Sequence, residues 1–153
     1  MKFFKIILIT LLVSSCNIGV NVTVHDEDGA GEITSSIIRR VVSDDNVINI
    51  YQNATEAFQK KTKQEEFIVF ASQIKAVFFG SNIVLNGYET YGTQETIAIH
   101  GISKKADKEV YFKFTYAGTL SKGYKVQGLS FAYEQFKKEG AYIEYKGKKE
   151  FEI

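Results

Sequence analysis

Few side chains in this 153-residue chain carry reactive chemistry. One cysteine is present, Cys16, directly after the small pair Ser14-Ser15 at the end of an apolar run. Two histidines are present: His25 precedes the consecutive acids Asp26-Glu27-Asp28, and His100 stands between Ile99 and Gly101. Histidine beside carboxylates suggests a metal loop. A calcium loop, however, needs oxygen ligands at fixed alternate positions and a closing glutamate. Consecutive acids lack that spacing, so no metal or other cofactor is expected, and His25 to Gly31 reads as a solvated stretch. His100 is the one candidate base. General-base catalysis needs a hydrogen-bonding partner and a shifted pKa, and the sequence offers His100 no visible partner. No Gly-x-Ser-x-Gly, paired metal histidines or phosphate loop occurs, so no catalytic residue is expected. Tyrosine joins an apolar body to a polar tip and suits contact surfaces. Tyr88, His100, Tyr111 and Tyr133 are therefore the candidate binding residues, with packing under helices or decoration of a sheet as the competing reading for the tyrosines.

The amino terminus is the clearest segment. Lys2 and Lys5 supply a short positive region, and Phe3-Phe4 with Ile6 to Leu12 supply the apolar one. That is the pattern of a secretory signal peptide. A membrane-spanning helix needs about 20 apolar residues, and this run is shorter. The end, Val13-Ser14-Ser15-Cys16, resembles the lipobox of bacterial lipoproteins. The resemblance implies cleavage before Cys16, acylation of its thiol and new amino terminus, and a permanent membrane anchor, since each buried methylene contributes about 0.8 kcal/mol. Asn17 stands where that family's inner-membrane retention signal has an aspartate. The periplasmic face of an outer membrane is therefore the expected location in a host with two membranes.

Removing residues 1–15 leaves 138 residues, 17 of them basic and 18 acidic, a net charge of −1. One domain is expected over residues 32–153, joined to the lipidated cysteine by a tether over 16–31. The charge balance argues against nucleic acid, which demands a basic stripe. With Cys16 modified no disulfide is available, so the apolar core alone must hold the fold. The 12 Phe and 9 Tyr, with no Trp or Pro, favour sheet.

Helical periodicity starts near Glu32, with Ile33, Ile37 and Val41 on one stripe. Arg39 and Arg40 lie off it and read as a wet face, with anion binding the sharper alternative. Ser43 or Asp44 is positioned to cap a short helix carrying Val47, Ile48 and Tyr51, and Asn53 to Phe58 reads as another short helix or turn. Thr62-x-x-Glu65 is a capping box, which opens a helix over Lys63 to Lys75 with Phe67, Phe70, Ala71 and Ile74 inward. From residue 77 the period becomes two, and four strands follow: Asn82 to Thr90, Glu95 to Ile102, Glu109 to Ala117 and Tyr124 to Tyr133. His100, opposite in phase to Ile97 and Ile99, should face solvent or a rim. Val110, Phe112, Phe114 and Tyr116 share the apolar face of the third strand, and Gly128 marks a bulge in the fourth. Residues 142–151 read as a small hairpin or a strand extension.

Helices followed by an antiparallel meander make an α+β fold, N-terminal helices packed on a curved four-stranded sheet. Tyr51, Phe58, Thr62-x-x-Glu65-x-Phe67-x-x-Phe70 and Gly123-Tyr124-x-Val126-x-Gly128-Leu129-Ser130 carry a further likeness. They resemble small bacterial lipoproteins with a cystatin-like, cone-shaped domain of the nuclear transport factor 2 type. That family usually has Trp where Tyr124 stands. The resemblance implies fold more than activity. The expected function is a non-catalytic envelope lipoprotein that binds a partner protein, a small apolar ligand or a second copy of itself. The alternatives are a small hydrolase or isomerase working inside the cone, which requires a polar pocket, and a periplasm-facing inhibitor or immunity protein.

Overall fold

The computed structural model describes residues 23–153. The leader and Cys16 lie outside the described residues. Among the described residues, four helices precede five strands: α1 (Glu27–Val42), α2 (Val47–Gln52), α3 (Glu56–Lys61), α4 (Gln64–Phe78), β1 (Asn82–Thr90), β2 (Thr96–Lys105), β3 (Lys108–Thr119), β4 (Gly123–Ala132) and β5 (Ala141–Glu152). The fold is α+β, with the helices on one face of a curved antiparallel sheet.

The helical half corrects three expectations. α1 starts at Glu27, five residues before the expected Glu32. Asp26 Oδ1 accepts a hydrogen bond from the Gly29 amide at 2.8 Å, an N-cap. Glu27 and Asp28 then sit in the first turn, where negative charge suits the helix dipole. Asp28 pairs with Lys149, the Tyr145 hydroxyl donates to the Glu27 carbonyl at 2.8 Å, and Ala30 and Gly31 are buried. The acidic stretch is therefore part of the folded body and not a solvated tether. The second correction concerns α2: Asn46, in the left-handed region at φ 50°, occupies its cap position, while Asp44 binds Lys75. The third concerns α4. Its cap is Lys63, and Glu66 Oε2 accepts from the Lys63 amide at 2.9 Å. Only this half of a capping box forms, since a lysine side chain has no acceptor. Thr62 instead lends its carbonyl to the Tyr51 hydroxyl at 2.9 Å. The arginines are tied to protein as well. Arg40 donates to the Asn46 carbonyl at 3.0 Å, and the Arg39 guanidinium lies 4.7 Å from the centroid of the Phe151 ring.

The sheet order is β4-β3-β2-β1-β5, with every neighbouring pair antiparallel. The final stretch is thus a fifth strand paired with β1, where four strands were expected. β4 and β5 occupy opposite edges, so residues 133–140 must cross the sheet between them. The helices already cover one face, and the crossing runs over the other. Two register shifts bend the strands: one between Leu85 and Gly87, the other between Val126 and Gly128, beside the expected bulge.

The core lies between helices and sheet. Ile38, Phe67 and Phe78 meet Ile97, Ile99, Phe112, Phe114 and Tyr116, all buried. The Phe78 ring meets Phe112 edge-on at 5.3 Å and Phe131 at 5.8 Å. A polar tie at this depth is satisfied: the Thr34 hydroxyl donates to the Ala30 carbonyl at 2.9 Å and accepts from the Tyr116 hydroxyl at 2.7 Å. Phe112, Phe114 and Leu85 are buried in this core.

Candidate functional site

A buried group of titratable side chains lies on the sheet face opposite the helices. Two features of backbone geometry create it. In β2, His100 alternates with Ile99 and so points away from the helices. In β1, Asn86 is the extra residue of a bulge, which reverses the side-chain phase beyond it. Ile83 and Leu85 face the helices, but after the bulge Glu89 faces outward, toward His100. Gly87 sits at the reversal. A Cβ there would stand 2.3 Å from the Ile143 carbonyl oxygen, so only glycine lets β5 close in.

The crossing segment seals this pair. Glu89 is fully buried and His100 is 6 % exposed. Glu89 Oε2 lies 2.9 Å from His100 Nε2. Glu89 Oε1 accepts from the backbone amides of Glu139 and Gly140. The Phe136 and Tyr142 rings meet the imidazole edge-on at 6.3 and 5.3 Å. Lys113 lies over Phe136 and Lys138 over Tyr142, 5.4 and 3.7 Å from the ring centroids.

The ionisation follows from these contacts. Burial pushes the Glu89 carboxyl up, but the Gly140 and Glu139 amides and His100 outweigh it, leaving the group below its ordinary value. Burial pulls the His100 imidazole down. Glu89 opposes that, Lys113 and Lys138 reinforce it, and the net direction is downward. At neutral pH the pair is a carboxylate with a neutral imidazole. An ionised carboxylate only accepts, so Nε2 carries the ring proton. Burial and the Glu89 charge together raise the nearby Tyr91 phenol above its usual range.

A carboxylate that orients an imidazole is one half of the apparatus of nucleophilic catalysis. The other half, a hydroxyl or thiol hydrogen-bonded to the ring, is absent among the described residues. What the arrangement does is fasten: one carboxylate joins β1, β2 and the crossing segment. Among the described residues no cluster of three or more histidine, cysteine or acidic side chains is placed to hold a metal.

The four candidate binding residues do not converge. His100 is on the expected face but is covered rather than open to solvent. Tyr111 shares that face, half-buried beside Ala132. Tyr133, the first residue after β4, is 86 % exposed. Tyr88 lies on the helix side against Tyr145, with ring centroids 5.7 Å apart; burial, then Glu27 and Asp28, raise its phenol. Glu89 was missed. The signal that could have found it was Gly87, a lone glycine in a strand pattern, which marks a bulge and hence a change of phase. Nothing in local patterning announced the crossing that buries the pair.

No family model, no curated protein and no solved structure matches this chain.

Proposed function

We propose that this chain is a lipid-anchored protein of the bacterial envelope that works by binding an envelope partner protein and not by catalysis. The leader ending in Ser14-Ser15-Cys16 supports the anchor, and Asn17 favours the outer membrane. The helix-before-sheet order agrees with a cystatin-like domain of the nuclear transport factor 2 type.

The observation that carries the binding reading is where unsatisfied chemistry remains. On the outer face the Glu89–His100 pair is engaged, and the interior is filled. Apolar surface stays open between α2 and α4, where Val47, Ile48, Ile68 and Ala71 line a cleft of about 320 Å3. Ile48 and Ile68 are 41 % and 40 % exposed, and neighbouring Val69 is 61 % exposed. Large aliphatic side chains grouped at one place mark contact surfaces. The cleft is too open to enclose a small ligand, which usually loses most of its surface to a pocket. An apolar side chain or helix of another protein fits it better.

A photo-crosslinking amino acid at position 68, installed in the full chain in cells, tests this. The expected result is one discrete adduct with an envelope protein, lost in the Ile48→Asp variant while that variant keeps its circular dichroism and urea midpoint. The reading fails if no adduct forms, or if a folded Ile48→Asp chain gives the same adduct.

A further inference from the structure

The first described residues leave the fold at a defined place. The Thr23 hydroxyl donates to the Thr93 carbonyl in the β1–β2 turn at 2.9 Å. The Leu120 amide, in the β3–β4 turn, donates to the Val24 carbonyl at 3.1 Å. The chain therefore enters at the end of the sheet formed by these two turns. Only Asn17 to Val22 separate Thr23 from Cys16, so the link spans at most about 25 Å.

The surface at that end is unusual for a turn region. Val24 and Leu120, joined by their backbone hydrogen bond, are 56 % and 57 % exposed. The adjacent acid is neutralised: Lys122 Nζ lies 2.6 Å from Glu95 Oε1. The opposite end carries more charge: Lys104, Lys105, Asp107, Lys108 and Glu109 around the β2–β3 turn are all exposed, with Lys104 paired to Glu109 and the exposed Phe79 beside Lys105. A strand of this sheet is about 35 Å long, longer than the link, so an anchor on Cys16 excludes an upright molecule with the charged turn on the bilayer and the Val24–Leu120 end farthest from it.

We infer that Val24 and Leu120 form a lipid-facing tip that rests in the headgroup region of the anchoring bilayer. This rests on the lipoprotein reading of Cys16 and adds to it a fixed orientation. Two aliphatic side chains do not hold a protein on a membrane by themselves, but beside an acyl anchor they decide which end faces it. The α2–α4 cleft, next to Asp44 at the far end of α1, then opens toward the aqueous side.

The test uses the acylated full chain in vesicles of phosphatidylethanolamine and phosphatidylglycerol. Once Cys16 is acylated no other thiol remains, so Ser121→Cys and Ala106→Cys each accept a single nitroxide. Collision with dissolved oxygen against a water-soluble nickel complex reads depth. The expected result is a higher oxygen-to-nickel ratio at 121 than at 106, lost when Leu120→Asp is added. Equal ratios on a chain with acylated Cys16, confirmed by mass, overturn this inference alone. A chain with no acyl group on Cys16 overturns it together with the reading beneath it.

Discussion

Glu89→Ala should release the crossing segment from the sheet. The carboxylate accepts three hydrogen bonds, from His100 and from the Glu139 and Gly140 amides. Hydrogen bonds to a charged group contribute about 1.5–3 kcal/mol each, which would sum to about 4.5–9 kcal/mol if all three donors stayed buried and unpaired. They need not stay so. Once residues 133–140 lift, the two amides regain water, and the cost is limited to undocking the segment and exposing Phe136 and His100. A loss of about 2–4 kcal/mol is therefore expected for Glu89→Ala. Glu89→Gln keeps one oxygen for the two amides, and its amide group can donate to the other imidazole tautomer. It should cost only about 1–2 kcal/mol, the difference between charged and neutral hydrogen bonds. Both groups of the pair titrate below their ordinary values in the folded protein, so each contributes stability at high pH that acid removes. The His100 share is complete above its usual 6.5 and the Glu89 share above its usual 4.5. Stability should fall as pH drops through this range; Glu89→Gln abolishes the carboxylate share but, lacking the charge that holds the His100 imidazole up, keeps the imidazole share. Urea unfolding across pH, with hydrogen exchange at the 139 and 140 amides, measures both effects. Unchanged exchange at those amides in Glu89→Ala, with an unchanged urea midpoint, would refute the idea that this carboxylate is the fastener.

Other substitutions test the packing. Gly140→Ala places a Cβ 2.3 Å from the Thr90 carbonyl oxygen, and backbone must move to admit it; a loss of at least about 2 kcal/mol is expected in chemical denaturation, with the largest rise in hydrogen exchange at the start of β5. Phe78→Ala removes the ring that meets Phe112, Phe114 and Phe131 and should cost about 3–5 kcal/mol by the same assay. Tyr116→Phe deletes a buried hydroxyl whose partner Thr34 keeps its bond to Ala30, so the loss should be only about 0.5–1.5 kcal/mol.

Local patterning carried the parts of the fold that depend on neighbours. Strict alternation from Val110 to Tyr116 placed Phe112, Phe114 and Tyr116 inward, and the broken phase at Gly128 located a real bulge. The stripe of Phe67, Ala71 and Ile74 was readable for the same reason. Where partners come from afar, the residue types pointed elsewhere. Asp26 to Asp28 looked solvated because the groups that use them, the α1 amides, Tyr145 and Lys149, belong to a helix start and a distant strand. β5 looked like a loose hairpin because its pairing partner, β1, lies some 60 residues earlier in the chain. The Glu89–His100 pair needs both the phase reversal at Asn86 and a segment that crosses three strands. Neither residue has a local signature for burial, so a strand histidine read as exposed was in fact covered.

The proposed lipid anchor can be read from the chain's own amino terminus. Intact mass and terminal-peptide mass spectrometry of the protein from native membranes should show Cys16 as the first residue, bearing fatty acyl groups. A chain recovered from the aqueous fraction with residues 1–15 still attached, or with a free Cys16 thiol, would contradict it.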